Sequence, residues 1–288
     1  MTAAVKEDLV SSRSSEKLPF RVKLEQSQFR SRVLVAVLLV PSILLITRVG
    51  GILFTSVVCI AALLAAWEFF RLVEKGGFKP VAPMGFILTV LLILNAFLPH
   101  LNILYPGLTA WLIATTIWQL FRRTPSPVAD WAITLVGGFY IGWLISHFIS
   151  LRSLPRGYIW VMLTFLITWA GDSGAYFVGL KWGKRPLWPR LSPKKTWEGT
   201  IGGWLSGIFA ALILGTICKV PLHHSLALGI LVATFTPFGD LAISMIKRQF
   251  GVKDSGSLFP GHGGMLDRID SLLFAVVSVY YYVVLAIF

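Results

Sequence analysis

The sequence predicts an all-α fold, a polytopic membrane bundle of about nine transmembrane helices with a cytoplasmic N-terminus, and three observations carry that prediction. Hydrophobic residues make up 56% of the 288 residues and charged residues only 14%, where a soluble domain carries roughly 25% charged residues. Nine apolar stretches approach the ~20 residues that a bilayer crossing needs. Finally, 22 of the 26 Lys and Arg fall in the N-terminal segment and on alternate connections between those stretches, which is the pattern of basic segments retained in the cytoplasm. Topology thus accounts for most of the net charge of +13, and no nucleic-acid partner is expected.

In chain order, residues 1–32 are polar and basic with four acids, and lack the apolar core of a secretory signal. Spans are expected at 33–47, 51–67, 83–98, 101–121, 128–151, 157–180, 200–218, 225–246 and 271–288. Inward connections are then 68–82, 122–127, 181–199 and 247–270, and the outward ones hold only Arg48, Arg152, Arg156 and Lys219 as basic residues. Trp67, Trp131, Trp160, Trp182 and Trp197 fall near span ends, as an interfacial aromatic belt would. The division expected is a cytoplasmic tail (1–32), N-terminal transmembrane helices (33–151), and C-terminal transmembrane helices carrying the catalytic loops and metal site (152–288). Cys59 and Cys218 lie in separate apolar runs, so no disulfide scaffold or thiolate metal site is expected.

None of the 13 acidic residues falls in an outward connection. Asp172 precedes Lys181 by nine residues and Asp240 precedes Lys247 by seven, which places them about 14 and 10 Å below the basic edge at 1.5 Å per helical residue. An Asp near a helix centre costs about 2.5–3.5 kcal/mol on insertion scales, so these two face a cavity, a cation or a salt-bridge partner. The segment Thr236-Pro237-Phe238-Gly239 before Asp240 reads as irregular backbone lining such a cavity.

The connection after it is dense in chemistry. Gly261, Gly263 and Gly264 allow backbone N–H groups to approach an anion just before the last helix. Asp267, Asp270 and Ser271 follow on one helical face; the two acids also suit a helix N-terminus for dipole reasons alone. In the 181–199 connection, Lys194 and Lys195 sit in a Ser-Pro turn where they could reach a polyphosphate, and Thr196-Trp197-Glu198 reads equally as the start of a helix. Gly199, Gly203 and Gly207 form a small-residue ridge for helix packing.

Buried carboxylates beside a Gly-rich loop and several cations are what phosphoryl or nucleotidyl transfer from a soluble Mg-nucleotide to a lipid requires. No Ser-His-Asp or Cys-His pair stands out, and none is needed if the acceptor is itself a phosphate. His100, His147, His223 and His224 read as structural.

The pattern Ser244-x-Ile246-Lys247-Arg248, Lys253-Asp254-x-Gly256, Leu258, Pro260, His262-Gly263-Gly264-Met265 and Asp267-Arg268-Ile269-Asp270 resembles the signature of the CDP-diacylglycerol synthase, or phosphatidate cytidylyltransferase, family. Ala170-Gly171-Asp172-Ser173-Gly174-Ala175-Tyr176 and Ser192-Pro193-Lys194-Lys195-Thr196-Trp197-Glu198-Gly199 agree with it too, so the likeness covers about 168–271 closely. The resemblance implies an enzyme that converts CTP and phosphatidate to CDP-diacylglycerol and pyrophosphate, working as a homodimer in a bacterial-type inner membrane with its site facing the cytoplasm. It implies Mg²⁺ on Asp240 and Asp267, with room for a K⁺ beside it, and Asp172 and Asp270 as further or alternate ligands. Lys247, Arg248 and His262 join these acids as catalytic candidates. Ser192, Lys194, Lys195, Lys253, Gly263, Gly264 and Arg268 are the phosphate-binding candidates. The rival enzyme reading is CTP-dependent action on another lipid, as in a polyprenol kinase; the chain has no Asp-Gly dipeptide for a CDP-alcohol phosphotransferase and no P-loop. A cation channel or transporter would leave the His-Gly-Gly-x-x-Asp-Arg loop without a reason.

Overall fold

Apolar runs in this chain end wherever Gly, Pro or a charge cluster breaks them, and the computed structural model, which describes residues 39–256, 258 and 263–288, turns at those breaks. The basic tail 1–32 and His262 lie outside the described residues. Ser42–Phe288 forms one unit. The helices are α1 (Leu39–Val49), α2 (Gly51–Lys75), α3 (Ala82–Phe97), α4 (Leu104–Leu120), α5 (Pro127–Ser153), α6 (Gly157–Trp182), α7 (Trp197–Ile217), α8 (Leu222–Gln249) and α9 (Leu266–Ala286).

Six of these, α2 and α5 to α9, are long and apolar enough to cross a membrane. That is fewer than the nine spans expected. The described part of α1 and the whole of α3 are shorter apolar helices, and the 16 residues of α3 rise about 24 Å against a hydrocarbon core of ~30 Å. Many large apolar side chains remain exposed, among them Ile52, Phe121, Leu180 and Leu285, as suits a chain whose solvent is lipid. With no hydrophobic drive between helices in that solvent, close backbone approach through small residues supplies the packing. The Gly199, Gly203, Gly207 ridge does this on α7. A Cβ at Gly203 would lie 2.8 Å from Gly171 O and 2.9 Å from Ala175 Cβ, and one at Gly199 would lie 2.9 Å from Ala175 O.

The connections sort into two ends. At one end, Arg152 donates to the carbonyls of Thr47 (2.7 Å) and Arg48 (3.0 Å), and Arg156 donates to those of Cys218 and Lys219. At the other, Lys79 N donates to Asp130 Oδ1 (2.7 Å), Arg122 to Lys79 O (2.7 Å), and Arg248 Nε to Leu191 O (3.1 Å). Phe78 and Phe250 meet edge to face there, with centroids 6.3 Å apart. The connections thus group in the two sets that the charge count separates.

Three local expectations change. Ser192–Thr196, expected as a turn, is a β-strand (β2) paired antiparallel with Pro186–Trp188 (β1). Pro193 is tolerated because a two-stranded ribbon leaves each strand a free edge. Thr196 then caps α7, its Oγ1 accepting from Gly199 N at 3.2 Å, so the helix-start reading of Thr196-Trp197-Glu198 holds. Pro237 does not interrupt α8, which runs through it; Gly239 instead provides clearance, since a Cβ there would strike the carbonyl of Asp270 on α9. Trp160 is buried rather than interfacial, its indole N–H donating to Pro155 O at 2.9 Å.

Replacing Gly203 with Leu should therefore force α6 and α7 apart and destabilise the bundle by about 1–3 kcal/mol, the range for overpacking. Thermal melting in detergent measures it, with Ile201→Leu on the exposed face of the same helix expected to melt like the parent.

Candidate active site

Helix α2 runs eight residues beyond the expected span end at 67, and that extension carries Glu68 into the bundle with 1% exposure. Its carboxylate is held by three donors from the far end of the chain. Met265 N donates to Oε1 at 2.8 Å, Leu266 N to Oε2 at 2.8 Å, and Ser255 Oγ to Oε2 at 2.7 Å. The first amides of α9 have no partner within their own helix, and Met265 at the cap position offers no side-chain acceptor. Glu68 therefore caps α9 from another helix, with its negative charge at the positive end of the helix dipole. Gly256 and Gly264 leave space for it: a Cβ at either would run into the Glu68 carboxylate.

Asp267 sits in the first turn of α9 and is held in a similar way. Its Oδ2 accepts from Ser255 N (2.9 Å), Ser255 Oγ (3.0 Å) and Gly264 N (3.0 Å), and its Oδ1 from Lys247 Nζ on α8 (2.6 Å). The Lys247 and Asp267 side chains are 9% and 6% exposed. The Gly264 N–H, expected to face a phosphate, thus serves a carboxylate. Gly263 has φ of 78°, a left-handed turn that lets the chain fold back over Asp267.

A second group of acids lies beside this network. Asp240 forms an ion pair with Lys195 from β2 and accepts from Ser244 Oγ at 3.2 Å. Because Gly239 brings α8 against α9, Asp270 comes within electrostatic reach of Asp240 and Asp172, and Asp172 within reach of Lys195 and Arg268. Asp270 is buried, with Ser271 N on its Oδ1 at 2.7 Å, while Asp172 is exposed. One turn before the acids on α6 and α8 stand Thr168 and Thr236, both buried with hydroxyls that have no partner among the described residues. This departs from Thr89, Thr134, Thr164 and Thr234, which all bond the carbonyl four residues back. Tyr140, whose ring meets that of Phe274 one turn after Asp270, also has an unpartnered hydroxyl. Buried polar atoms without protein partners are normally satisfied by water or an ion, so the polar surface continues below the acids.

Of the residues singled out from the sequence, the structure brings together Asp172, Lys195, Asp240, Lys247, Asp267, Arg268 and Asp270. Arg248 lies nearby but spends its guanidinium on the carbonyls of Leu191 and Val252. Ser192 pairs with Trp188 in the ribbon, and Lys194 and Lys253 are exposed. Glu68 and Asp130 are the residues that sequence reasoning missed. The signal for Glu68 was present: it stands alone in Ala65-Ala66-Trp67-Glu68-Phe69-Phe70, seven residues before Lys75, which is the spacing between Asp240 and Lys247.

For a divalent cation the donor chemistry fits. The carboxylates are hard oxygen ligands, and among the described residues no group of three His, Cys, Asp or Glu could hold a metal unaided. Mg²⁺ usually takes one or two carboxylates and completes its shell with substrate phosphates and water. Among the described residues Asp240 is held by two side chains, and Asp267 Oδ1 keeps a lone pair beyond the one Lys247 uses.

Comparison with known proteins agrees with this geometry. The model of the cytidylyltransferase family matches residues 30–286. A phosphatidate cytidylyltransferase of Synechocystis sp. is 34% identical over 266 residues, covering 82% of this chain and 90% of its own. One from Bacillus subtilis is 34% identical over 264 residues, covering 88% and 96%. The chloroplastic phosphatidate cytidylyltransferase 5 of Arabidopsis thaliana is 33% identical over 290 residues, covering 90% and 72%.

Removing one member of the Lys247–Asp267 pair strands a buried charge, a change that typically costs about 3–5 kcal/mol. Lys247→Met should accordingly lower the melting temperature of the detergent-solubilised protein steeply, whereas Lys253→Met, at an exposed position, should leave it unchanged.

Proposed function

Because the chain belongs to the cytidylyltransferase family, we propose that it is a phosphatidate cytidylyltransferase, a membrane nucleotidyltransferase that forms CDP-diacylglycerol and pyrophosphate from CTP and phosphatidate. The observation that carries the reading is the meeting of acids from α6, α8 and α9 with Lys195, Lys247 and Arg268 at one end of an apolar bundle. A polyphosphate and a metal ion need opposite charges side by side, and a lipid acceptor needs them at a membrane surface.

In the reaction, a phosphate oxygen of phosphatidate attacks the α-phosphorus of CTP. A new P–O–P link forms as the bond from the α-phosphorus to the bridging oxygen breaks, and pyrophosphate leaves with that electron pair. No base is required, since the attacking phosphate is already an oxyanion. Asp240 and Asp267 are the proposed ligands of Mg²⁺, with Asp172 and Asp270 as further or alternate ligands and K⁺ as the candidate second ion. When bound, the divalent ion neutralises charge on the reacting phosphates. Lys195 is placed to turn from Asp240 toward the nucleotide phosphates, and Arg268 lies exposed beside it as the second cation. Lys247 holds Asp267 in place, and Lys194, Lys253 and His262 complete the phosphate-binding candidates at the mouth. Such cations act on charge that develops in the transition state, where they lower the barrier rather than tighten the ground state.

The proposed setting is a bacterial-type inner membrane, with nine crossings, the basic tail and the catalytic mouth in the cytoplasm. The charge count and the grouping of connections at two ends support that orientation. The domain division at 33–151 and 152–288 follows the site, although Glu68 ties the first part to the second. A homodimer is proposed from the family resemblance alone.

Purified protein in detergent, given CTP, phosphatidate and Mg²⁺, should form CDP-diacylglycerol. Turnover of a different lipid phosphate or alcohol, with none from phosphatidate, would remove the substrate assignment. Asp240→Asn and Asp267→Asn should each lower turnover by at least about 100-fold, the scale on which a single transition-state charge contact acts; near-parent activity in either takes that residue off the ligand set.

A further inference from the structure

Glu68 lies 187 residues from Ser255 in sequence, yet the two side chains share a hydrogen bond, and that bond continues directly to Asp267. A serine hydroxyl carries one proton. Here the hydroxyl faces two carboxylate oxygens, with Ser255 Oγ 2.7 Å from Glu68 Oε2 and 3.0 Å from Asp267 Oδ2. The two acids are linked a second time through the backbone. Glu68 holds the amides of Met265 and Leu266, while Asp267 holds that of Gly264, the residue next to Met265.

Two such acids in contact would be costly unless each had its own donors. Glu68 has the cap of α9, and Asp267 has Lys247 and the Ser255 amide. The side chain that fixes where α9 begins, and so where Asp267 points, therefore comes from α2. Helix α2 is in turn anchored at the same end of the bundle: the connection after it bonds Asp130 through Lys79 N and Thr134 through Val81 N.

We propose that Glu68 is a positioning residue for nucleotidyl transfer: by capping α9 and sharing the Ser255 hydroxyl with Asp267, it sets the orientation of the Asp267 carboxylate and of the Ser255 and Gly264–Leu266 backbone around it. This rests on the reaction assigned above. Gln at position 68 keeps the shape but turns one acceptor into a donor that faces N–H groups, so the cap is lost without emptying the core. Misplacement of a reacting group by about 1 Å can cost on the order of 100-fold in rate. Glu68→Gln should thus lower kcat by about 10- to 100-fold with little change in KM for CTP or phosphatidate, the split expected when a contact matters in the transition state rather than the ground state.

The test combines steady-state kinetics with amide hydrogen exchange of full-length protein in detergent, for the parent, Glu68→Gln, Ser255→Ala and the double variant. Faster exchange confined to peptides covering 253–268, a selective fall in kcat, and a double variant no slower than Glu68→Gln support the proposal. Parent-like kcat in Glu68→Gln, independent multiplicative losses in the double variant, or faster exchange throughout α2 and α9 with falling folded yield each overturn it. Should Glu68→Gln fail to fold, Ser255→Ala decides alone: it must reduce kcat and loosen the same peptides. Exchange is read without turnover, so a parent that makes no CDP-diacylglycerol refutes the reaction, while unchanged exchange in the variants refutes the positioning link.

Discussion

An ionised carboxylate inside an apolar bundle must be met by N–H groups, hydroxyls or a cation, and this requirement organises the catalytic end of the molecule. Glu68 and Asp267 satisfy it jointly through Ser255 and the amides of Gly264, Met265 and Leu266, and Lys247 closes the arrangement from α8. Helix α2 is thereby fixed to α8 and α9 at the far end of the chain. The glycines at 256 and 264 owe their place to the same constraint, since a side chain at either would occupy the space of Glu68. Without the network, the first turn of α9 would carry unpaired amides into the bundle and Asp267 would carry an unpaired charge, each an expensive state in a low-dielectric setting.

The second acid group differs in kind. Asp240 pairs with Lys195, and Asp172 and the buried Asp270 lie within electrostatic reach of Asp240 and of each other. Hydroxyls without partners lie a turn below on α6 and α8. Where the Glu68–Asp267 network is filled by protein donors, this group is short of them, and a surplus of oxygen acceptors suits a hard cation and the phosphates it accompanies. Glu68 is thus fully engaged by protein donors, while Asp267 Oδ1 and the second acid group keep acceptor capacity for something that arrives from solution. Placing both at the end where the basic connections gather lets a soluble nucleotide meet a phosphate that cannot leave the membrane.

Most of this was legible in the sequence where a physical rule acts locally. Intramembrane depth marked Asp172 and Asp240, and the small-residue ridge marked the α6–α7 contact. Thr196 announced a helix start. What escaped was non-local or lay at a boundary. Ending the second span at residue 67 put Glu68 in a loop, because an apolar run is cut at its first charge, although the helix continues to Lys75. Pro237 was read as a break because proline removes one helical hydrogen bond, but packing of α8 against α9 outweighs that loss. The ribbon at Pro186–Thr196 gave no alternation for a strand rule to detect. The expected role of the Gly264 amide depended on a partner, Asp267, that spacing alone could not place.

Nucleotidyl transfer and phosphoryl transfer send different phosphorus atoms of CTP to the lipid, and the proposed reaction requires the first. Two parallel reactions of the purified protein with phosphatidate and Mg²⁺ would contain CTP labelled at the α-phosphorus or at the γ-phosphorus. Attack at the α-phosphorus puts the α label into the lipid product and leaves the γ label in pyrophosphate. Recovery of the γ label in the lipid, with the α label left in a soluble diphosphate, would show phosphoryl transfer by a CTP-dependent kinase and contradict the account.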